Sequence, residues 1–421
     1  MENQVPEGQQ KIKKSPYVAL QYPEFRAYMM GNSLFTMALL MQEVVLGYEV
    51  YKISHDPLAL GLIGLAEALP YISLALFGGH VADRRDKKTI MLISLLVIIS
   101  GSVILIWATN PISGLSKEMM LTVIYFVIFL IGLAKGFFSP AASSLNPFLV
   151  PKEVFANAAT WSSSFWQFGA IVGPGVAGFL YAYLGLTHTL WIVTGLLIMV
   201  MILISFISKR PVIIPEKADM TLWESLKEGI VYVFKTKIIL YSISLDLFSV
   251  LFGGVIAILP IFAEDILKVG AEGLGILRAA PSIGALVTMV FMVYFPPTDN
   301  AWRNLLMAVA GFGIATIIFA LSTFFWLSAA ALFLTGAFDS VSVIVRQTVL
   351  RHFTPDEMRG RVSAVNGIFV SSSNEIGAFE SGLLAKIFGT VPSVLLGGAV
   401  TISIVSLVWI RSKELFKLKI N

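Results

Sequence analysis

The stretch "GGHVADRRDKKTI" (Gly78–Ile90) sets six formal charges in a chain that is 57% hydrophobic and only 13% charged. On either side of it run apolar segments, "LALGLIGLAEALPYISLALF" (58–77) and "IMLISLLVIISGSVILIW" (90–107). Each is close to the roughly 20 residues a helix needs to cross a hydrocarbon core about 30 Å thick. The charged stretch therefore reads as a water-exposed loop between two membrane-crossing helices. Soluble domains carry about 25% charged residues, so this chain, with a mean hydropathy of +0.82, is expected to be membrane-embedded throughout. Alternation at ten-residue intervals is missing, which argues against a membrane β-barrel.

Working outward, the 421 residues divide into an all-α membrane protein of twelve transmembrane helices. The first six are expected near 27–50, 58–79, 89–109, 119–146, 155–183 and 189–208, and the second six near 238–263, 273–295, 304–321, 327–350, 361–385 and 391–411. Between the sets lies the longest polar break, 209–237, which opens on prolines and continues with an amphipathic pattern from Leu222 to Phe234. A linker with a surface-lying helix is expected there. The domains are thus 1–208, 209–237 and 238–421. With the N-terminus inside, about 23 of the 30 Lys and Arg residues fall in cytoplasmic segments, against Lys52, Lys117, Lys268 and Lys386 outside. The positive-inside rule then puts both termini in the cytoplasm. The polar first twenty-odd residues lack the apolar core of a cleavable leader, so the first span is expected to direct insertion.

The halves match each other at a constant offset of 204 positions. Gly132 and Lys135 meet Gly336 and Asp339, "PKEVFANA" (151–158) meets "PDEMRGRV" (355–362), and Gly173, Gly178 and Gly185 meet Gly377, Gly382 and Gly389. Two pseudo-symmetric six-helix bundles with a shared midplane cavity follow, an arrangement typical of transporters.

Nine ionisable residues fall within the spans: Glu43, Glu67, Lys135, Asp246, Arg278, Asp339, Arg346, Glu375 and Glu380. An uncompensated charge at a helix centre costs about 2.5–3.5 kcal/mol, so these groups are expected to face protein or water. Glu67, Arg278, Arg346 and Glu380 lie near helix ends, where snorkelling or a structural pair would account for them. Glu43, Lys135, Asp246, Asp339 and Glu375 sit deeper and are the candidates for proton coupling. A Lys135–Asp339 pair across the cavity would be the purely structural alternative. Helical spacing sets Asn32, Thr36 and Glu43 on one face, Lys135, Ser139 and Asn146 on another, and likewise Ser242, Asp246, Ser249 and Gly253, and Asn366, Ser373, Gly377 and Glu380. Asn32, Thr36, Asn146, Trp166, Gln167 and Asn366 are the expected cavity-lining residues. The aromatics equally suit lipid contact or packing.

"GGHVADRRDKK" resembles the helix 2–3 signature of the major facilitator superfamily, roughly G-x-L-A-D-R-x-G-R-[KR], with Asp86 in place of the second glycine. "GAIVGPGVAG" (169–178) resembles the superfamily's helix 5 exporter motif, carried here by Gly169, Gly173, Pro174 and Gly178. "DPLALG" (56–61), "FLVPKEVFANA" (148–158) and "TPDEMRGRVSAVNG" (354–367) resemble the bacterial branch that holds enterobactin exporters and macrolide efflux pumps. The resemblance implies a cytoplasmic gate of Gly79, Asp83, Arg84 and Arg361, with Asp83 against the start of helix 11. It also implies a secondary active exporter in the inner membrane of a bacterium, exchanging protons for a small amphipathic molecule such as a drug or siderophore. A lysophospholipid flippase or a proton-coupled importer stays open. Lys135 stands where the superfamily often carries an arginine; it could titrate or pair with Glu43. Arg85, Lys87 and Lys88 read as topology-setting charges or lipid phosphate contacts.

Other classes fit poorly. There is no cysteine, no H-E-x-x-H pair and no G-x-x-x-x-G-K-[ST] loop, so neither an enzyme nor an ATP-driven pump is indicated. No metal and no cofactor beyond a coupling proton is expected. Nor is a nucleic-acid partner; lipids and a small-molecule substrate are, with the chain acting as a monomer.

Overall fold

The computed structural model describes residues 15–210, 222–297 and 300–417, and those residues are helical with short connections. The first half holds α1 (Pro23–Ser54), α2 (Pro57–Arg84), α3 (Lys87–Thr109), α4 (Lys117–Leu145) and α5 (Phe155–Ser205). The second holds α6 (Leu222–Lys235), α7 (Lys237–Gly253), a short α8 (Leu259–Ile261), α9 (Gly270–Tyr294), α10 (Ala301–Leu321), α11 (Phe325–Phe353), α12 (Asp356–Phe388) and α13 (Thr390–Arg411). Ten helical segments among the described residues are long and apolar enough to cross a membrane. At about 1.5 Å per residue, α5 is more than twice as long as a bilayer core is thick. It breaks once, at Gly185, whose φ of 76° and ψ of 174° no helix contains. α12 is long enough to cross, but its charges set it apart from the apolar ten.

Local chemistry sets the helix starts. Prolines open α1 and α2, where a missing N–H costs nothing. Asp56 caps α2 by accepting from the Leu58 N–H at 3.0 Å, and Asp86 caps α3 by accepting from the Thr89 N–H at 3.1 Å. Asp86, the departure from the family signature, thus has a local role. The neighbouring cations do more than set topology. Lys88 donates to the carbonyl of Ser205 at the end of α5, at 2.7 Å, and Lys87 is buried over the Phe148 ring.

Glycines bring the helices into backbone contact, as small residues do where lipid supplies no hydrophobic drive. A methyl at Gly132 (α4) would stand 2.3 Å from the Glu67 carbonyl oxygen of α2; at the repeat-related Gly336 (α11) it would stand 1.9 Å from that of Pro281 in α9. Gly173 packs on α1 at Met37, and its counterpart Gly377 packs on α7 at Leu251. Gly178 meets Ala271 and Gly275 of α9, while Gly382 meets Pro57 and Gly61 of α2. Gly185 and Gly389, the last matched pair, are both left-handed breaks with φ of 76° and 92°. The 204-residue offset therefore corresponds to a structural repeat.

These contacts define two faces. The terminal face carries the start of α1, the α2–α3 turn, the start of α5 and the α11–α12 turn. The distal face carries the α1–α2 turn and the end of α12. The α5–α9 and α12–α2 crossings both lie toward the distal face and join one half to the other. The amphipathic segment forms α6, which buries Leu226 and Val233 and sets Gly229 against the Arg361 carbonyl of α12. The linker at 211–221 lies outside the described residues.

Replacing Gly132 or Gly336 by Leu should lower the unfolding midpoint in detergent, with a cost of about 1–3 kcal/mol or more. Gly195→Ala, where the added methyl would meet no neighbouring helix or side chain within 4 Å, should be neutral or slightly stabilising. Equal effects at the three positions would show that close helix contact is not what these glycines supply.

Candidate functional site

A cavity of about 440 Å³ lies in the first half, lined by Asn32 and Thr36 of α1, Lys135, Ser139 and Asn146 at α4, and Trp166 of α5. The polar faces expected on α1 and α4 thus meet. Thr36 donates to the Asn32 carbonyl at 3.0 Å, leaving its lone pairs toward the cavity. A recess of about 60 Å³ shares Leu39, Leu40 and Lys135 with this cavity and adds Gln42, Glu43 and Glu67.

Five helices contribute to the ionic cluster at the recess. Lys135 (α4) pairs with Glu67 (α2), and Arg278 (α9) donates to Glu43 (α1) at 2.7 Å. Glu375 of α12 is in electrostatic reach of Glu67, Lys135 and Glu43. Arg278 is 9% exposed, so its charge is sustainable there only with a partner. Two expectations are corrected here. Lys135 pairs neither with Glu43 nor with Asp339, because Glu67 is one helix contact away through Gly132. For Glu67 and Arg278, of the two readings the sequence left open, the structure has the pair inside the bundle.

The second half differs. Asp246 (α7) pairs with Arg346 (α11), both side chains buried, and Ser242 and Ser249 beside them donate to their own helix. The α7 stripe is therefore internal and lines none of the described cavities alongside α1 and α4. Arg346 is the acid's structural counterpart and does not snorkel. Asp339 lines a separate pocket of about 180 Å³. Asn366 opens on a pocket at the terminal face with Arg351 and Arg359, away from the central cavity. Gln167 is buried and donates to the Ser282 carbonyl of α9 at 2.8 Å, holding the halves together instead of lining the cavity. Glu380 buries Oε1 without a hydrogen-bond partner.

The distal face is sealed by groups that the sequence patterns do not single out. Tyr48 and Tyr51 of α1 donate to Glu264 and Asp265, which sit in a π-helical turn, Phe262–Ile266, after α8. Tyr181 of α5 donates to Glu49, and its ring meets Tyr48 edge-on. At the rim, Lys386 of α12 donates to Asp56 at 2.6 Å. Burial works against the Asp56 charge, yet the Lys386 and Leu58 hydrogen bonds hold its carboxyl below the usual range. The tyrosines' one-turn spacing on α1 and the acid doublet are the signal the sequence offers for this seal.

The terminal face is the open one. A methyl placed at Gly79, Gly360 or Gly367 would meet nothing within 4 Å, and Arg84 is exposed. Close approach of α2 to α4 is made by Gly78, against the Gly136 carbonyl, and not by Gly79. Arg361 pairs with Glu228 of α6; the Asp83 side chain lies outside the described residues. In the helix 5 motif, Gly169 and Gly173 seat α5 on α1, Gly178 seats it on α9, and Pro174 sits in helical backbone.

The model of the family described as "Transmembrane secretion effector" matches residues 14–418. The chain belongs to that family, within the major facilitator superfamily. It is 25% identical over 391 residues to macrolide efflux protein A of Streptococcus pyogenes, covering 88% of this chain and 91% of that one. It is 23% identical over 386 residues to the enterobactin exporter EntS of Escherichia coli O1:K1 / APEC, covering 90% and 89%. Among solved structures it resembles the nucleoside transporter NupG (TM-score 0.71, 14% identity, 94% and 100% covered). It also resembles a D-xylose–proton symporter (TM-score 0.72, 14% identity, 92% and 97% covered). Those likenesses establish the fold. The protein is a multi-span helical membrane transporter, not an enzyme.

Two outcomes follow. Arg346→Met alone should destabilise the protein by about 3–5 kcal/mol, and Arg346→Met with Asp246→Leu should recover most of that; unfolding midpoints of the four chains of the cycle decide it. Asp56→Asn keeps the helix cap but loses the charge. Because the folded carboxyl titrates below its ordinary value, its contribution is present above pH of about 4 and lost as pH falls through the lowered value. The variant should therefore be less stable than the parent by under about 1 kcal/mol at neutral pH, with the gap closing in acid. A gap that widens in acid would contradict the pairing.

Proposed function

We propose that this protein is a proton-coupled exporter, carrying a small amphipathic organic molecule out of the cytoplasm across a bacterial inner membrane by alternating access. The carrying observation is the charge count of the cluster: three carboxylates (Glu43, Glu67, Glu375) face two cations (Lys135, Arg278). One negative charge is left over in the membrane interior, where an unbalanced charge costs several kcal/mol. A single proton, held on Glu375, balances the site.

Coupling follows from where the cluster sits. Opening the distal face must part α2 from α12 and α1 from α9, the helix pairs that bring Glu67 to Glu375 and Glu43 to Arg278. Separated carboxylates take up protons from the distal side. Reclosure reforms the pairs with one proton left on Glu375, and substrate entering the 440 Å³ cavity from the terminal face displaces that proton there. One charge crossing 100 mV is worth about 2.3 kcal/mol, or roughly fifty-fold accumulation. Export is favoured by the relatives, whose names are those of efflux and export proteins. We assign the terminal face to the cytoplasm from the Lys and Arg distribution. We count twelve crossings by halving α5 at Gly185 and adding α12, and take the monomer as the working unit, with 209–237 as the inter-half linker.

Proteoliposomes with an imposed pH gradient, offered a macrolide, a catecholate siderophore and a lysolipid, test the reading. Movement of a macrolide or siderophore against the proton flux is expected. Glu375→Gln should cut gradient-driven movement by at least about tenfold while leaving substrate counterflow. Full proton coupling in that variant would remove Glu375, and movement of the lysolipid alone would replace export with lipid flipping.

A further inference from the structure

The pocket around Asp339 is separate from the ionic cluster and has its own chemistry. It lies among α7, α9, α10, α11 and α12, with Phe312, Phe319, Leu332 and Val250 among its apolar walls. Asp339 sits midway along α11, one turn after Gly336, and none of the described ion pairs or hydrogen bonds uses its carboxyl. The nearest cations along its own and the neighbouring helix are already engaged. Arg346 holds Asp246, and Arg278 holds Glu43.

The other polar side chains of the pocket present lone pairs. Thr316 gives its hydroxyl proton to the Phe312 carbonyl at 2.9 Å, and Thr335 gives its own to Leu332 at 2.6 Å. Asn374 donates to the Val370 carbonyl at 2.9 Å, leaving Oδ1 to accept. Two hydroxyl oxygens, an amide oxygen and a carboxylate thus line a largely apolar space with no cation among its described lining residues. Such a set repels an anion and leaves its acceptors without a donor.

We propose that this pocket is a binding site for the protonated amine of an amphipathic ligand, with Asp339 as the counter-charge and Phe312, Phe319 and Leu332 holding the apolar body. The proposal rests on the transporter reading above and names the substrate class, organic cations carrying N–H donors. Charge-assisted hydrogen bonds to a carboxylate held among apolar walls supply the preference.

The test uses the full chain in lipid nanodiscs, without any gradient, and three ligands sharing one body: 4-phenylbutylamine, 4-phenylbutanol and 4-phenylbutyrate. Protein-free nanodiscs correct for partitioning. The amine should bind about tenfold or more tightly than the alcohol or the carboxylate. In Asp339→Asn the amine should fall to within about twofold of the alcohol, while Glu375→Gln keeps the preference. Leu332→Trp, which fills the space and leaves the charge, should abolish amine binding. The ligand series on the unaltered chain decides the charge preference even if a variant fails to fold. Equal binding of the three ligands, or an amine preference that survives Asp339→Asn, would overturn the proposal. Because binding is read with no gradient, that failure would leave proton-coupled export standing, and a failure of coupled export would leave this site standing.

Discussion

Ionised groups in the interior of a membrane protein have to answer one another, and this fold is arranged around that demand. A lone charge at bilayer depth costs more than several apolar residues recover. Here the answer is a cluster of five side chains drawn from α1, α2, α4, α9 and α12, so that no one half is complete without the other. Three of these helices also make the glycine crossings on the distal face, α9 at Gly275 with Gly178 of α5, and α12 at Gly382 with Gly61 of α2. Charge pairing and close helix contact therefore share the α12–α2 and α1–α9 helix pairs and the crossings beside them. On the proposed mechanism, a change in the protonation of the cluster changes the cost of holding the distal face shut, the differential free energy an alternating carrier needs.

The two halves share a plan and divide the labour. Repeat-related glycines make equivalent contacts, Gly132 with Gly336 and Gly173 with Gly377, and equivalent breaks at Gly185 and Gly389. The charges do not follow the symmetry. Where the first half puts Lys135 into a network, the second puts Asp339 into an apolar pocket and keeps a separate buried pair, Asp246 with Arg346. The ionic network thus spans both lobes, while the acceptor-rich recess belongs to the second alone.

Much of this was legible in the sequence because it is encoded locally. Apolar run length gave the spans, the 204-residue offset gave the paired glycine breaks, and the face shared by Lys135, Ser139 and Asn146 gave one wall of the cavity. Partner choice was not legible, since it is decided across helices. Glu67 carries no mark in its own span that separates a paired acid from a snorkelling one; only the Gly132 crossing brings it to Lys135. Gln167 has the composition of a cavity residue, yet the α5–α9 contact consumes its amide on Ser282. Tyr48 and Tyr51 look like lipid-facing aromatics until the π-turn acids Glu264 and Asp265 are placed against them.

The chain contains no cysteine, so single thiols can be introduced into an otherwise unreactive background. Ser139→Cys, beside Lys135 in the cavity, is the position at which the account is most exposed. A membrane-impermeant maleimide added to the terminal face of oriented vesicles should label it readily, and the same reagent added to the distal face should not. Labelling that needs a lipophilic reagent or detergent would place this wall against acyl chains, and the shared wet interior on which the cluster depends would not exist.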